Sequence, residues 1–348
     1  MLNLLLQSCT KEGPLLPILK GKVLILNQGN FTEQSASISL YDEQTNTMTN
    51  RVFESANGGI SIGATIVSGL IDESSNAFLV CNYPDKILVI DPATAILKRS
   101  PITQGLSNPR AICGDSKNIY VSNWGTDYVV NNLGYYEYTN SYIAVYDAAT
   151  HQYKRSVAAG TDAEGLIILN NKLYVATKEG VRVFDTTDPE LPLIKTIRHE
   201  DASGNAKNLA VDKLGKIWAS FPNKGVVQID PTTLSAISAV EVPVDFLDGY
   251  ICADGGGERI LTYNTTFNDS WLPEIAAIYG VNISTKDVST LYTGNYFYGV
   301  GASPATGNIY TAEVSFTSNS LLRVLDSSGS NLIGGGVAGV GTSRYLFF

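Results

Sequence analysis

One short pattern governs what this chain can become. A run of apolar residues ends in an acidic or amide residue that opens a turn, and it does so seven times. The copies are segments 38–42, 87–91, 143–147, 181–185, 226–230, 278–282 and 322–326. They close on Asp42, Asp91, Asp147, Asp185, Asp230, Asn282 and Asp326, at intervals of 38 to 56 residues. An Asx side chain caps a tight turn by accepting from the backbone just beyond it, as in Asp91-Pro92-Ala93-Thr94. These aspartates are therefore expected to be structural, not catalytic.

Each copy has an upstream partner strand, beginning in order at Val23, Ala77, Asn118, Lys172, Lys216, Arg259 and Asn308. Upstream again lies a shorter apolar strand, at 65–71, 108–114, 165–170, 208–212, 250–254 and 299–303. We label these A, B and C in chain order, with an outer strand D after the Asp turn, as at 51–53 and 193–197. A four-stranded unit repeating every forty-odd residues is the signature of a propeller blade. The first unit has no A strand, while the tail 341–348 reads like a spare one, similar to 106–112. The pattern predicts an all-β, seven-bladed β-propeller over residues 22–348, with the C-terminal strand closing the first blade. Closure hides the long strand edges that otherwise invite aggregation.

Composition agrees. Hydrophobic residues make up 44% and charged residues 16% of the 348, enough to fill such a core. The net charge is -9 with no basic stripe, so nucleic acid is not an expected partner. Cys81, Cys113 and Cys252 sit in apolar strand patterns as small buried residues, although Cys81 and Cys113 fall in neighbouring units and a disulfide between them stays open.

Several motifs carry a family likeness: Val121-Ser122-Asn123-Trp124-Gly125, the run from Tyr142 through Asp147 to Thr150, and Asn108-Pro109-Arg110-Ala111-Ile112. They resemble the YncE-like seven-bladed propellers known as surface-layer or quinoprotein-like proteins. The start of the chain narrows the likeness. Leu6-Gln7-Ser8-Cys9 after an apolar run resembles a bacterial lipoprotein signal, in which the Cys is acylated after cleavage. On that reading residues 1–8 are a signal remnant, Cys9 is the lipidation site and residues 9–21 are a tether to the outer membrane at the cell surface. The combination is similar to surface lipoprotein propellers of Bacteroidetes, among them the BtuG-type proteins, which capture cobalamin above a TonB-dependent transporter. That resemblance implies a corrinoid ligand and a TonB-dependent outer-membrane transporter as partner.

In a propeller the B–C loops and the interblade D–A loops share one face, around the channel mouth. Here those loops are long and aromatic. Segment 28–36 holds Phe31, segment 126–140 holds Tyr128, Tyr135, Tyr136 and Tyr138, and segment 265–273 holds Phe267 and Trp271. Interblade loops add Phe246, Asp248, Tyr296 and Tyr298. B strands end at Asn27, Asn82, Asn123, Thr177, Phe221, Asn264 and Glu313, with Tyr83 and Trp124 beside them. A strands start at Arg110, Glu164, Asn208, Tyr250, Tyr298 and Arg344. Amides donate and accept, and Tyr and Trp give rigid contact area with a polar handle, which suits a large polar ligand. The candidate ligand contacts are thus the aromatics Phe31, Tyr83, Trp124, Tyr128, Tyr135, Tyr136, Phe221, Tyr250, Phe267, Trp271, Tyr296 and Tyr298, with Asn82, Arg110, Asn123, Glu164, Asn208, Asn264 and Arg344. The competing reading has the Asn residues satisfying turn backbone and the Tyr residues packing loops onto the rim.

Catalytic signals are sparse. Of the two histidines, His151 falls in a C–D turn and is expected to be solvated, and His199 in a D–A loop. No triad, HExxH or Cys–His motif occurs. Glu164 and Asp248 remain a candidate carboxylate pair for lactone or glycoside hydrolysis. Gly255-Gly256-Gly257 is a turn without a following helix, so not a phosphate loop. The expectation is a non-enzymatic capture protein without cofactor or metal. The alternatives are a glycan-binding propeller, an adhesion or structural surface-layer protein, or a lactonase- or quinoprotein-type enzyme.

Overall fold

The computed structural model describes residues 21–198, 205–222, 224–246, 248–270 and 272–348. Cys9, His199 and Trp271, with the signal and nearly all of the tether, lie outside the described residues.

Seven small antiparallel sheets follow one another along the chain. Blade 1 holds β1 (Lys22–Asn27), β2 (Ser37–Asp42) and β3 (Thr47–Thr49). After the short helix α1 (Val52–Ala56), blade 2 holds β4 (Thr65–Ile71), β5 (Ala77–Asn82) and β6 (Lys86–Ile90). Its outer position is taken by an irregular segment bridged at Ile90–Leu97 and Ile87–Ile102. Blade 3 comprises β7 (Pro109–Gly114), β8 (Asn118–Asn123), β11 (Ser141–Asp147) and β12 (Tyr153–Gly160). Between β8 and β11 stands a separate hairpin, β9 (Tyr128–Val130) with β10 (Tyr136–Tyr138).

Blade 4 runs β13 (Leu166–Leu169), β14 (Lys172–Thr177), β15 (Gly180–Asp185), β16 (Leu193–Ile197). Blade 5 runs β17 (Leu209–Val211), β18 (Ile217–Phe221), β19 (Gly225–Asp230), β20 (Ser235–Val240). Blade 6 runs β21 (Ile251–Ala253), β22 (Arg259–Phe267), β23 (Pro273–Asn282), β24 (Val288–Gly294). Blade 7 runs β25 (Phe297–Ala302), β26 (Ile309–Glu313), β27 (Leu321–Leu325), β28 (Leu332–Val337). The last strand, β29 (Thr342–Phe347), joins β1, with Val23 opposite Phe347 and Leu26 opposite Arg344. The ring is closed by the C-terminal strand, as the spare A strand predicted.

Strand alternation explains how the blades hold together. In β5, Ala77, Leu79 and Cys81 pack against blade 1, while Phe78 and Val80 pack against blade 3. In β18, Ile217 and Ala219 face blade 4, while Trp218 faces blade 6. Successive side chains feed two different cores, which is why the B and C strands read as unbroken apolar runs. Each neighbouring pair of blades encloses one core, the last one joining blades 7 and 1 through Tyr310, Leu322, Val23 and Tyr345. A buried Leu or Ile in such a site contributes about 1.5–3 kcal/mol.

The inner strands crowd at the axis. A Cβ on Gly299 would lie 2.0 Å from the Ser343 carbonyl oxygen, so only glycine fits between blades 7 and 1 there. Hydroxyls on two B strands tie their blade to the next: Ser122 Oγ donates to the Glu164 carbonyl at 2.6 Å and Ser220 Oγ to the Gly249 carbonyl at 2.5 Å.

The turn aspartates are structural. Asp91 Oδ1 accepts from the amides of Ala93 and Thr94, and Asp147 Oδ1 from those of Ala149 and Thr150. Asn282 does the same for Ser284 and Thr285. Two details differ from the sequence-based expectation, and the disulfide left open is settled. The outer strand of blade 1 is β3, and 51–53 instead opens α1, where Phe53 turns into the core between blades 1 and 2. Cys81 and Cys113 are both free thiols. His151 is half-buried, edge-on to Phe78 of blade 2 with ring centres 5.0 Å apart, not simply solvated. That packing makes burial the main force lowering its pKa.

Candidate functional site

A cavity of about 670 Å³ opens at the channel mouth, on the face of the long B–C loops. It is lined by Phe31, Asn82, Tyr83, Arg110, Trp124, Tyr128, Tyr298 and Arg344 among the candidate contacts. Gln28, Asp85, Asn108, Tyr138 and Asp248 complete much of its wall. Contributions come from blades 1, 2, 3 and 7 and from the connection between blades 5 and 6.

Two aromatic pairs flank the opening. Phe31 and Tyr83 stack with ring centres 4.5 Å apart and planes 17° from parallel. Both are more than half exposed, so one ring face of the pair is open to a ligand. Across from them Trp124 stacks on Tyr138 at 4.6 Å, and the Arg110 guanidinium lies 3.9 Å from the Trp124 ring centre. Trp124 is thereby committed to protein partners and lines the cavity as a support for Arg110.

The floor is ionic. Arg110 Nε donates to Glu164 Oε2 at 3.1 Å, and Lys207 Nζ donates to Glu164 Oε1 at 3.0 Å. Arg344 Nη2 donates to both oxygens of Asp248, at 2.7 and 2.8 Å, and Tyr263 donates its hydroxyl to Asp248 Oδ2 at 3.0 Å. The Arg344 guanidinium sits 4.1 Å from the Tyr250 ring centre. Each arginine thus has one carboxylate and one aromatic face. Burial opposes charge on both arginines, but Glu164 and Asp248 outweigh it and hold the two pKa values above the ordinary one. Burial, and then Asp248, raises the Tyr298 phenol, so it stays protonated and is a donor. Burial pushes Tyr250 up to about 12. Removing Glu164 would leave two half-buried cations short of a partner and should destabilise this side of the ring.

The β9–β10 hairpin covers part of the mouth. Tyr138 N donates to Asp162 Oδ1 at 2.7 Å and its carbonyl accepts from Asp162 N at 3.0 Å, which fixes the hairpin base to the connection that leads into blade 4. Glu137 pairs with Lys178 of blade 4. At the tip, Tyr135 meets Phe246 of the blade 5–6 connection, ring centres 5.7 Å apart. The hairpin therefore leans over blades 4 and 5 and leaves the cavity open over blades 1 to 3.

Other candidate contacts are placed away from the cavity wall. Asn123 is fully buried, accepting from Ser107 N at 2.9 Å and donating to the Val121 carbonyl at 3.0 Å. It satisfies backbone, as the competing reading held. Phe221 is buried in the core between blades 4 and 5. Asn208 sits against Gly165, its Oδ1 facing Ile251 N at 3.5 Å, and Asn264 is half-buried within β22. Tyr136 packs edge-on to Tyr128 outside the wall. Phe267 meets Tyr296, and Tyr296 and Tyr298 both meet Phe316, an aromatic chain that leads to the cavity. Lys207 and Phe316 were not anticipated. Lys207 stands one position before an A-strand start that was, which is the signal that could have found it. Among the described residues, no group of three or more His, Cys, Asp or Glu is placed to hold a metal ion.

The chain matches the family model described as a domain of unknown function, DUF5074, over residues 20–331. It belongs to that family. No curated protein matches it. Among solved structures the DUF5074 chain is similar to a quinonprotein alcohol dehydrogenase-like protein from Bacteroides thetaiotaomicron VPI-5482, with 15% identity and a TM-score of 0.66, covering 94% of this chain and 78% of that one. It is also similar to a candidate 6-phosphogluconolactonase from Bacteroides uniformis ATCC 8492, with 12% identity and a TM-score of 0.66 over 94% and 99% of the two chains. Apo AztD from Citrobacter koseri matches with 9% identity and a TM-score of 0.60 over 94% and 97%. Identities this low establish the propeller fold and nothing about cargo or chemistry.

Proposed function

We propose that this chain is a non-enzymatic, surface-anchored propeller that captures a small ligand at the mouth cavity and passes it to a TonB-dependent outer-membrane transporter. The proposed cargo is a corrinoid. The observation that carries the reading is the cavity itself: an open aromatic pair, Phe31–Tyr83, facing a polar floor on a rigid ring. Its volume of about 670 Å³ is in the usual range for small-molecule sites, about 300–1,000 Å³. A flat macrocycle edged with amides would place its apolar face on the ring pair and its oxygens toward the donors. Against hydrolytic chemistry, Glu164 and Asp248 are both tied to cations, so neither is a free acid or base. Lipidation at Cys9 and cell-surface placement are part of the same proposal, by the resemblance of the first nine residues to a lipoprotein signal.

Calorimetric titration with cobinamide and with cobalamin tests the cargo. Saturable heat with either compound, together with a rise in Tm, supports it. Absence of both heat and thermal shift for the two compounds removes corrinoids as cargo.

A further inference from the structure

The cavity floor has an imbalance of donors over acceptors. The Arg110 guanidinium has its flat face on Trp124 and its Nε edge on Glu164. Among the described residues, nothing bonds to its Nη1 or Nη2, and Arg110 lines the cavity. The remaining edge is a rigid fork of N–H groups, the geometry that matches a carboxylate or carbonyl oxygen. Tyr298 also lines the cavity, keeps its proton, and has no hydrogen-bond acceptor among the described residues. The Asn82 amide adds a third donor, because its Oδ1 already accepts from Thr65 Oγ1.

Acceptors on the floor are already used. Asp248 Oδ1 takes Arg344, and Asp248 Oδ2 takes Arg344 and Tyr263. Both oxygens of Glu164 take Arg110 and Lys207. At the floor a ligand group that itself donates would meet oxygens that already have partners, whereas one that accepts would complete the idle donors; Asp85 in the wall, with Oδ2 taken by Asn108 N, is the acceptor at the rim.

We infer that the ligand enters oxygen-first and that Arg110 is its anchoring residue, holding an acceptor oxygen of a carboxamide, carboxylate or phosphate through the Nη edge. This rests on the cavity being the ligand site proposed above, but not on the cargo being a corrinoid. Arg110 is fixed from two sides before any ligand arrives, so little ordering is left for binding to supply.

The test uses the full chain and simple probes. Arginine side-chain NMR signals are followed while acetamide, acetate or inorganic phosphate is added. Arg110 is expected to shift and saturate, while Arg259, held by Asp254 outside this cavity, stays in place. Which probe acts at the lowest concentration tells an amide source from an anionic one. If no probe moves Arg110, or if Arg259 moves as much, the inference is overturned. Arg110→Lys keeps the charge on Glu164 and loses the fork, and should weaken binding of a corrinoid that does bind by about tenfold, or about 1.4 kcal/mol. Corrinoid binding that is unchanged in Arg110→Lys sinks the anchoring role and leaves capture standing. A shift of Arg110 by acetate, with no heat from corrinoids, sinks the cargo and leaves the anchor standing.

Discussion

Phe31 and Tyr83 stack almost in parallel although one stands on the blade 1 loop and the other at the end of β5 in blade 2. Their rings are 57% and 52% exposed, so the pair is not paid for by core burial. Replacing Tyr83 with Ala should leave the Tm nearly unchanged. Affinity for the proposed corrinoid cargo, once its binding is measured, should fall about two- to tenfold, the range expected from about 0.5–1.5 kcal/mol for an aromatic contact. Parallel melting curves and titrations separate the two effects, and a large Tm loss would mean that the pair is a strut.

Closure of the ring predicts an intolerant glycine. Gly299→Ala must push a Cβ into the Ser343 carbonyl oxygen, and should cost about 1–3 kcal/mol. Gly256→Ala is the control, since the nearest atom to its Cβ is the flexible Glu258 Cγ at 3.7 Å. Denaturant unfolding of the two variants should differ clearly. Equal stability would mean that blades 7 and 1 can part slightly without loss.

The architecture was legible because propeller strands are buried on both faces and end in a repeated Asx turn. The β29–β1 seam was legible for the same reason: one A strand was missing at the start and one was left over at the end. Segment 51–53 was misread because Val52 and Phe53 look like strand residues, while only pairing with β2 shows that 47–49 fills that place. At the site, position along a strand located the right face but not the right side chain. Asn123 and Asn82 end equivalent strands, yet Asn123 turns inward to the Ser107 and Val121 backbone and Asn82 reaches the cavity. Lys207 matters through Glu164 at the start of the preceding blade, and Phe316 through Tyr296 and Tyr298 at the start of another strand, contacts that no local pattern encodes.

Acid should loosen the turn face. Lys216 and the turn amides hold the Asp230 carboxyl down to about 2, against an ordinary 3.8. Lys154 with Thr150, and Asn331 with Ser328, hold Asp147 and Asp326 lower still. A pKa lowered on folding gives stability that is complete above the ordinary Asp range and disappears as pH falls through the folded value. The Tm should therefore decline between about pH 4 and about pH 2. Asp147→Asn keeps an acceptor for the turn, as Asn282 does in blade 6, and its Tm should converge on the wild-type Tm as pH falls. A constant gap between the two curves would contradict this assignment.

The hairpin offers a test of which tyrosines touch ligand. Tyr128 lines the cavity, whereas Tyr135 and Tyr136 stand outside its wall. Tyr128→Ala should weaken binding of the proposed cargo more than the double variant Tyr135→Ala, Tyr136→Ala. Both should fold, as substitutions at exposed positions usually stay within about 0.5 kcal/mol. The reverse order of affinities would place the ligand on the outer side of the hairpin.

Seven similar blades around an axis would present a visiting molecule with seven nearly equivalent ways to sit. The hairpin that leans from blade 3 toward Phe246 removes that degeneracy. It gives the ring a compass direction, so that a molecule arriving at the mouth meets one bearing, and anything docked above it would have to match the same bearing.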